Sequence, residues 1–398
     1  MLYIVKDNLK IYNSLLNVLK SKTINPFQTD VIDFIDQFSI EIKKNKNTKN
    51  LKEFLSLAFW CRKKNLILKK NLNNKIHKQK GLGIVFHVPP KNIEISFAYS
   101  LLFGILSGNT NIIKIDSRNN TFKIFYNIII KLINKKKYSF LKQMIFFIDY
   151  NKQLEITKKI SLISDCRIVW GSDETIDFFK SLPTKTRSRN LFFSDRFSFS
   201  IINDKSLNNI SKKNLYETVK KFYVDTFFSD QGACSSPHLI IWYKCGSNKN
   251  KILFWNALLN IVKKNYLMKD GFYIKKYDKI LQSFVKEQNF NYYKSFENLI
   301  NVVGLKKVDH DIHTRKGNFG LFFEYDLDNL SEISSFVTEK YQTLLYFGFK
   351  KKDLHKLIFD NDLKGIDRVV QFGNSLNIDL IWDGYDIIDN LTRIIEIE

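Results

Sequence analysis

Over residues 1–75 apolar positions recur at helical spacing. Ile32, Ile35, Phe38 and Ile42 fall on one face, and Leu51, Phe54, Leu55, Leu57, Ala58 and Trp60 form a second run. This predicts a helical N-terminal region with Cys61 packed on the second face. Lys-rich segments at 43–52 and 69–80 read as exposed links or helix ends. From Gly81 the pattern changes to short apolar runs. Gly83–Val88 reads as a buried strand, broken by Pro89-Pro90-Lys91-Asn92. A helix follows with Ile95, Ala98, Leu101, Leu102, Ile105 and Leu106 inward, stopped at Gly108-Asn109. Strands at 111–115, 144–148, 167–170 and 197–202 then alternate with helices at 121–135, at 153–163 and from Glu174. In the second half a helix over 215–227 precedes strands at 301–308, 320–325, 344–347 and 378–382. Alternation at crossover lengths predicts an α/β chain built on a parallel, doubly wound sheet.

Such sheets bind ligands beyond the carboxyl ends of their strands. Those ends carry Pro89–Asn92, Lys114–Arg118 and Gly171-Ser172 here, and no GxGxxG fingerprint accompanies them. The second chemical feature is Ser229-Asp230-Gln231-Gly232-Ala233-Cys234-Ser235-Ser236-Pro237. It follows an aromatic helical run (Phe222, Tyr223, Phe227, Phe228) and precedes the apolar run Leu239–Tyr243. Gly232 and Ala233 clear space beside the sulfur, and Ser235–Pro237 make a turn from helix into strand. A thiol at such a junction is within reach of a substrate. A free thiol, with pKa about 8.5, is only a few per cent thiolate at neutral pH. By itself the pattern more readily describes a small buried residue in a tight turn.

A chain of 398 residues buries enough surface for two or more domains. No apolar run reaches the roughly 18 residues that span a bilayer, and Met1–Asp7 is too short and too soon charged for a signal peptide. Cys61, Cys166, Cys234 and Cys245 have neither CxxC nor zinc spacing, which points to a reducing, cytoplasmic compartment. The formal charge of +23 admits nucleic acid or an anionic membrane as partner. The excess is Lys scattered along helices and turns, alongside the Asn, Ile, Phe and Tyr of A/T-rich codons. That favours a solvated surface, and no nucleic-acid partner is expected.

Phe86-His87-Val88-Pro89-Pro90-Lys91-Asn92, Phe97–Leu101 and Gly108–Lys114 resemble the acyl-CoA reductase (LuxC) family. So do Trp170–Ile176, Ala233–Pro237, Tyr341–Leu344, Gly365–Arg368 and Trp382–Gly384, in order from about residue 80 onward. The type member of that family is the reductase subunit of the fatty acid reductase complex of bacterial bioluminescence. The family is a branch of the aldehyde dehydrogenase superfamily. The resemblance implies an aldehyde dehydrogenase-like fold, with a doubly wound cofactor domain and an α/β catalytic domain. The expected division is helices and cofactor domain over 1–215, catalytic domain over 216–372, and a segment 373–398 packing back on the body.

The resemblance implies that Cys234 accepts the acyl group. Asn92 and the Cys234 backbone N–H would stabilise the oxyanion, although a helix N-cap also explains Asn92. Lys114 would reach the cofactor ribose, and Gly171 and Ser172 would approach a pyrophosphate. Ser117 and Arg118, in the polar turn after Lys114, suit the 2′-phosphate of NADPH. An exposed Arg118 and a plain strand-to-helix turn at Gly171-Ser172 are the alternatives. The expected activity is NADPH-dependent reduction of an acyl-CoA or acyl-carrier thioester to an aldehyde. An acyltransferase or acyl-protein synthetase partner and a homo-oligomer are implied. An acyl transferase or thioesterase using the same cysteine, and a non-catalytic basic binding protein, are the other readings.

Aldehyde-oxidising relatives open a Glu-Leu-Gly-Gly-Lys motif with the base that hydrolyses the thioester. The comparable stretch here is Phe192-Phe193-Ser194-Asp195-Arg196, so Phe192 replaces the glutamate and Asp195 is expected to pair with Arg196. An acyl-enzyme without that base would resist water. His87 reads as a cleft residue, and His238 as a partner of Cys234 or a strand residue carried away from it. His310 and His313 form an HxxH in an exposed loop, where no metal site is expected.

Overall fold

The computed structural model describes residues 4–5, 8–90, 95–151, 153–286, 289–361 and 363–397. The chain forms two compact units, Met1–Ser194 with Leu380–Glu398, and Asp195–Asp379.

The first unit is built on six strands: β1 (Ile4–Val5), β2 (Ile84–Val88), β3 (Thr110–Lys114), β4 (Ile145–Ile148), β5 (Cys166–Trp170) and β6 (Arg189–Phe193). Their order is β1-β4-β3-β2-β5-β6, and every neighbouring pair is parallel. The chain steps outward from β2 through β3 to β4, then returns to the other side of β2 as β5. The topological switch therefore lies between β2 and β5, where Val88 pairs with Val169. The helix Ser96–Leu106 is buried along its whole length, not on one face. An apolar helix with only Ser96, Tyr99, Ser100 and Gly104 for relief has no face suited to water. Near the C-terminus, Thr392–Ile394 pairs antiparallel with Gln79–Gly81. Asn109 fastens the two ends, accepting from the Gly83 N–H at 2.9 Å and donating to the Leu391 carbonyl at 2.8 Å.

The second unit carries seven strands: β7 (Phe197–Asn203), β8 (Pro237–Tyr243), β9 (Phe290–Phe296), β10 (Ile300–Leu305), β11 (Leu321–Leu327), β12 (Tyr341–Phe347) and β13 (Arg368–Gln371). The order is β9-β10-β11-β8-β7-β12-β13, parallel except for the β9–β10 edge. Alternate residues of each central strand feed two cores. Phe199, Ile201, Leu239, Ile241 and Phe323 enter one, and Ile202, Ile240, Trp242 and Phe322 the other.

The strand at 197–202, expected with the first domain, is β7 at the centre of the second sheet. The division therefore falls at Ser194/Asp195 and not at 215. An all-apolar strand buried on both faces carries no sign of which sheet it will join. The strand expected over 378–382 shrinks to Ile381–Trp382, paired antiparallel with Tyr385–Asp386. Among the described residues no helix is long and apolar enough to cross a membrane.

Candidate active site

Cys234 sits at the amino end of β8, after the helix Lys212–Phe227. Asp230 (φ 53°) and Gln231 (φ 59°) end that helix in the left-handed region, at a cost of order 1–3 kcal/mol each. The surroundings hold them there. The Gln231 side chain donates to the carbonyls of Pro237 (3.1 Å) and Leu321 (3.0 Å) and accepts from the Gly320 N–H (3.1 Å). Tyr266 donates its hydroxyl to Asp230 at 2.7 Å. The Ser236 N–H then closes a turn on the Ala233 carbonyl at 2.9 Å.

The cysteine's own carbonyl is tied to the sheet. It accepts from the Ser198 hydroxyl at 2.6 Å, and Ser198 accepts from the Thr343 N–H at 3.1 Å. Buried Ser198 on β7 and Thr343 on β12 thus fix the backbone that carries the half-buried thiol.

The sulfur faces a carboxylate. Cys234 Sγ lies 3.7 Å from Asp195 Oδ1, and Lys316 Nζ lies 2.5 Å from that oxygen. Lys316 also donates to the Arg196 carbonyl at 2.7 Å. Arg196 pairs with Asp367 at 2.5 Å and donates to the carbonyls of Tyr341 and Gly365. Asp195, Cys234, Lys316 and Asp367 come from loops that enter β7, β8, β11 and β13, so the cluster forms at the amino ends of parallel strands. The expected Asp195–Arg196 pair is corrected: Asp195 binds Lys316, and Arg196 turns to Asp367. Nothing in the sequence singled out Lys316, which lies 121 residues from its partner.

His238, four residues on from Cys234, is buried and stacks on the Phe197 ring at 5.5 Å. Its Nδ1 has no hydrogen-bond partner among the described residues. Burial, with Lys316 and Lys279 nearby, holds its pKa well below the usual value, so it is neutral. The thiol instead donates to Asp195. Phe192, on β6, packs against the core of the first unit around Ile156 and Val169. The carboxylate that faces the sulfur is that of Asp195, three residues after Phe192.

In the first unit, Lys114 ends β3 with its ammonium 4.3 Å from the centre of the Tyr150 ring. Ser117 is buried, its N–H donates to Asp149 at 3.1 Å, and its hydroxyl has no hydrogen-bond partner among the described residues. Arg118 is exposed and forms a two-pronged pair with Asp116 at 3.0 and 2.9 Å. Gly171 follows β5, and a Cβ there would come within 2.7 Å of the Thr175 side chain. Ser172 caps the helix Asp173–Ser181, whose first turn holds Asp173 and Glu174. The Ser172 hydroxyl, followed by the backbone at Glu174, holds the Glu174 carboxyl below its ordinary pKa. Two carboxylates there compete with any phosphate for the helix N-terminus. A buried hydroxyl with no partner among the described residues, three positions after a strand-end lysine, could take a sugar or phosphate oxygen, whereas the carboxylates at Asp173 and Glu174 disfavour one at Ser172. Asn92 lies outside the described residues.

His87 is not a cleft residue. It is fully buried on β2 between Ser100 Oγ (2.8 Å) and Asn111 Oδ1 (3.0 Å). Asn111 spends its amide on the Asn109 carbonyl, so its oxygen accepts from His87 Nε2 and the Ser100 hydroxyl donates to Nδ1. Burial pushes the imidazole down to about 4. His313 Nδ1 lies 3.0 Å from the His310 carbonyl, and among the described residues no three His, Cys, Asp or Glu side chains gather to hold a metal.

Two parallel-sheet units in this order have the architecture of the aldehyde dehydrogenase superfamily. A glyceraldehyde-3-phosphate dehydrogenase (GapN) from Methanocaldococcus jannaschii, solved with NADP, superposes with TM-score 0.68 at 14% identity, over 99% of this chain and 94% of that one. Proline utilization A from Corynebacterium freiburgense matches with TM-score 0.70 at 10% identity; all of this chain aligns, spanning 44% of that protein. Aldehyde dehydrogenase 21 from Physcomitrella patens, in complex with succinate, gives 0.62 at 11% identity, over 96% and 85% of the two chains. No curated protein sequence matches the chain. The profile of the acyl-CoA reductase (LuxC) family matches residues 13–260, and the chain belongs to that family.

Proposed function

We propose that the protein reduces an acyl thioester, carried on CoA or a carrier protein, to an aldehyde with NADPH. The observation that carries this reading is the Cys234 thiol, held at the amino end of β8 by Ser198 and Thr343 beside the Asp195–Lys316 pair. The thiolate adds to the thioester carbonyl, the carrier thiolate leaves and takes up a proton, and the acyl group remains on Cys234. Asn92 and the Cys234 N–H are the proposed donors to the oxygen that gains charge in that step. Lys114 and Ser117 would hold the ribose side of NADPH, and Arg118 its 2′-phosphate. When bound, the nicotinamide supplies the hydride that releases the acyl group as aldehyde.

One observation favours a second reading. A carboxylate 3.7 Å from the sulfur stands where a base could help water release a free acid, which would make the protein a thioesterase. Incubation with acyl-CoAs of graded length and NADPH separates the two. Reduction consumes one NADPH per CoA released and yields aldehyde. Release of CoA and free acid without NADPH consumption would overturn it in favour of hydrolysis.

A further inference from the structure

We propose that Asp195 and Lys316 form a switchable pair that governs when Cys234 ionises. With Asp195 against the sulfur the thiol stays protonated; with the carboxylate turned away, Lys316 is the counter-ion of the thiolate. This rests on the reading of Cys234 as the nucleophile, and adds to it the groups that set the nucleophile's charge.

The two partners differ in how firmly they are held. Lys316 is 22% exposed, and its ammonium also binds the Arg196 carbonyl at 2.7 Å. Its own carbonyl accepts from Lys279 Nζ at 3.0 Å, and Lys279 also binds Asn318. Gly317 then admits a turn in which a Cβ would strike the Leu321 carbonyl. Asp195 is 58% exposed. The ammonium is thus the fixed member and the carboxylate the movable one. Because both bind through Oδ1, the ammonium lies within the roughly 6 Å over which a charge moves a neighbouring ionisation.

Other charged groups of the loops and helices that carry the pair have partners of their own among the described residues. Arg196 is paired with Asp367, Asp230 accepts from Tyr266, Lys279 is spent on Asn318 and the Lys316 carbonyl, and buried His238 is neutral. An anion at 3.7 Å disfavours a thiolate and a nearby cation favours it, so the two members of the pair act in opposite directions on the same atom.

The test is the pH profile of iodoacetamide alkylation of the full chain, read by mass spectrometry on the peptide bearing Cys234. Asp195→Asn should lower the midpoint by about one pH unit and Lys316→Gln should raise it by about as much, with Lys316→Arg restoring the parent profile. At pH 7 the rates should move only about threefold, because a more acidic thiolate is a weaker nucleophile. Midpoints within about 0.2 unit of the parent in both variants, or shifts in the same direction, would overturn the proposal. Should Lys316→Gln fail to fold, Asp195→Asn at the exposed carboxylate decides alone. No acyl-CoA or cofactor enters the assay, so failure of the reductase reading leaves its outcome unchanged.

Discussion

Cys234 and Asp195 face each other across 3.7 Å, one residue at the entrance to β8 and the other at the entrance to β7. Any acyl group on the sulfur therefore has a carboxylate for a neighbour. Phe192 packs against the core of the first unit. On the proposed reductase reading, protection of an acyl-enzyme from water would then rest on the ammonium bound to the near oxygen of Asp195.

Lys316→Met should release that oxygen. With a reductase acyl-enzyme, the ratio of free acid to aldehyde should rise about tenfold, the low end of what a general base contributes. Adding Asp195→Asn should return the ratio to the parent value. Product analysis after incubation with acyl-CoA and NADPH checks both; an unchanged ratio in Lys316→Met removes Asp195 as a hydrolytic hazard.

Gln231 holds the cysteine loop by three side-chain hydrogen bonds while its own backbone is left-handed. Gln231→Ala keeps the backbone strain and leaves buried partners unpaired, with a loss of roughly 2–4 kcal/mol. Gln231→Gly removes the strain and should recover about 1 kcal/mol of that. Urea unfolding of the two variants measures the difference, and equal stability would place the strain elsewhere.

The alternating pattern after Gly81 was enough to find β2 to β5 and their helices, because short apolar runs of strand length separated by crossover-length helices have few other solutions. It also placed Cys234 in a turn between helix and strand, since Gly232 and Ser235–Pro237 are local signals. The partners of the thiol were not legible. Asp195 looked committed to its neighbour Arg196, and Lys316 is one of 63 basic residues with no local mark. Contacts between loops far apart in sequence depend on strand order, and the all-apolar β7 carries no local mark of the sheet it joins. His87 failed for the same reason: its partners Ser100 and Asn111 become neighbours only when β2, β3 and the intervening helix pack together.

Ser117 is buried, and its hydroxyl has no partner among the described residues. Removing such a group does not cost stability in the empty protein, so Ser117→Ala should melt at or above the parent temperature. If the hydroxyl serves the cofactor, its loss should weaken NADPH binding about five- to tenfold. Arg118 exchanges Asp116 for the 2′-phosphate on this account, so Arg118→Ala should raise KM for NADPH but not for NADH, and Asp116→Asn should lower it. Calorimetric titration with both nucleotides and a thermal melt separate these roles from a structural one.

The most direct measurement is a single turnover with acyl-labelled CoA and no nucleotide, followed by NADPH. The account predicts one hydroxylamine-sensitive label per chain on the peptide containing Cys234, absent from Cys234→Ala, stable without NADPH and discharged to aldehyde when NADPH is added. Equal labelling of Cys234→Ala, or rapid repeated release of free acid before NADPH is added, would contradict it.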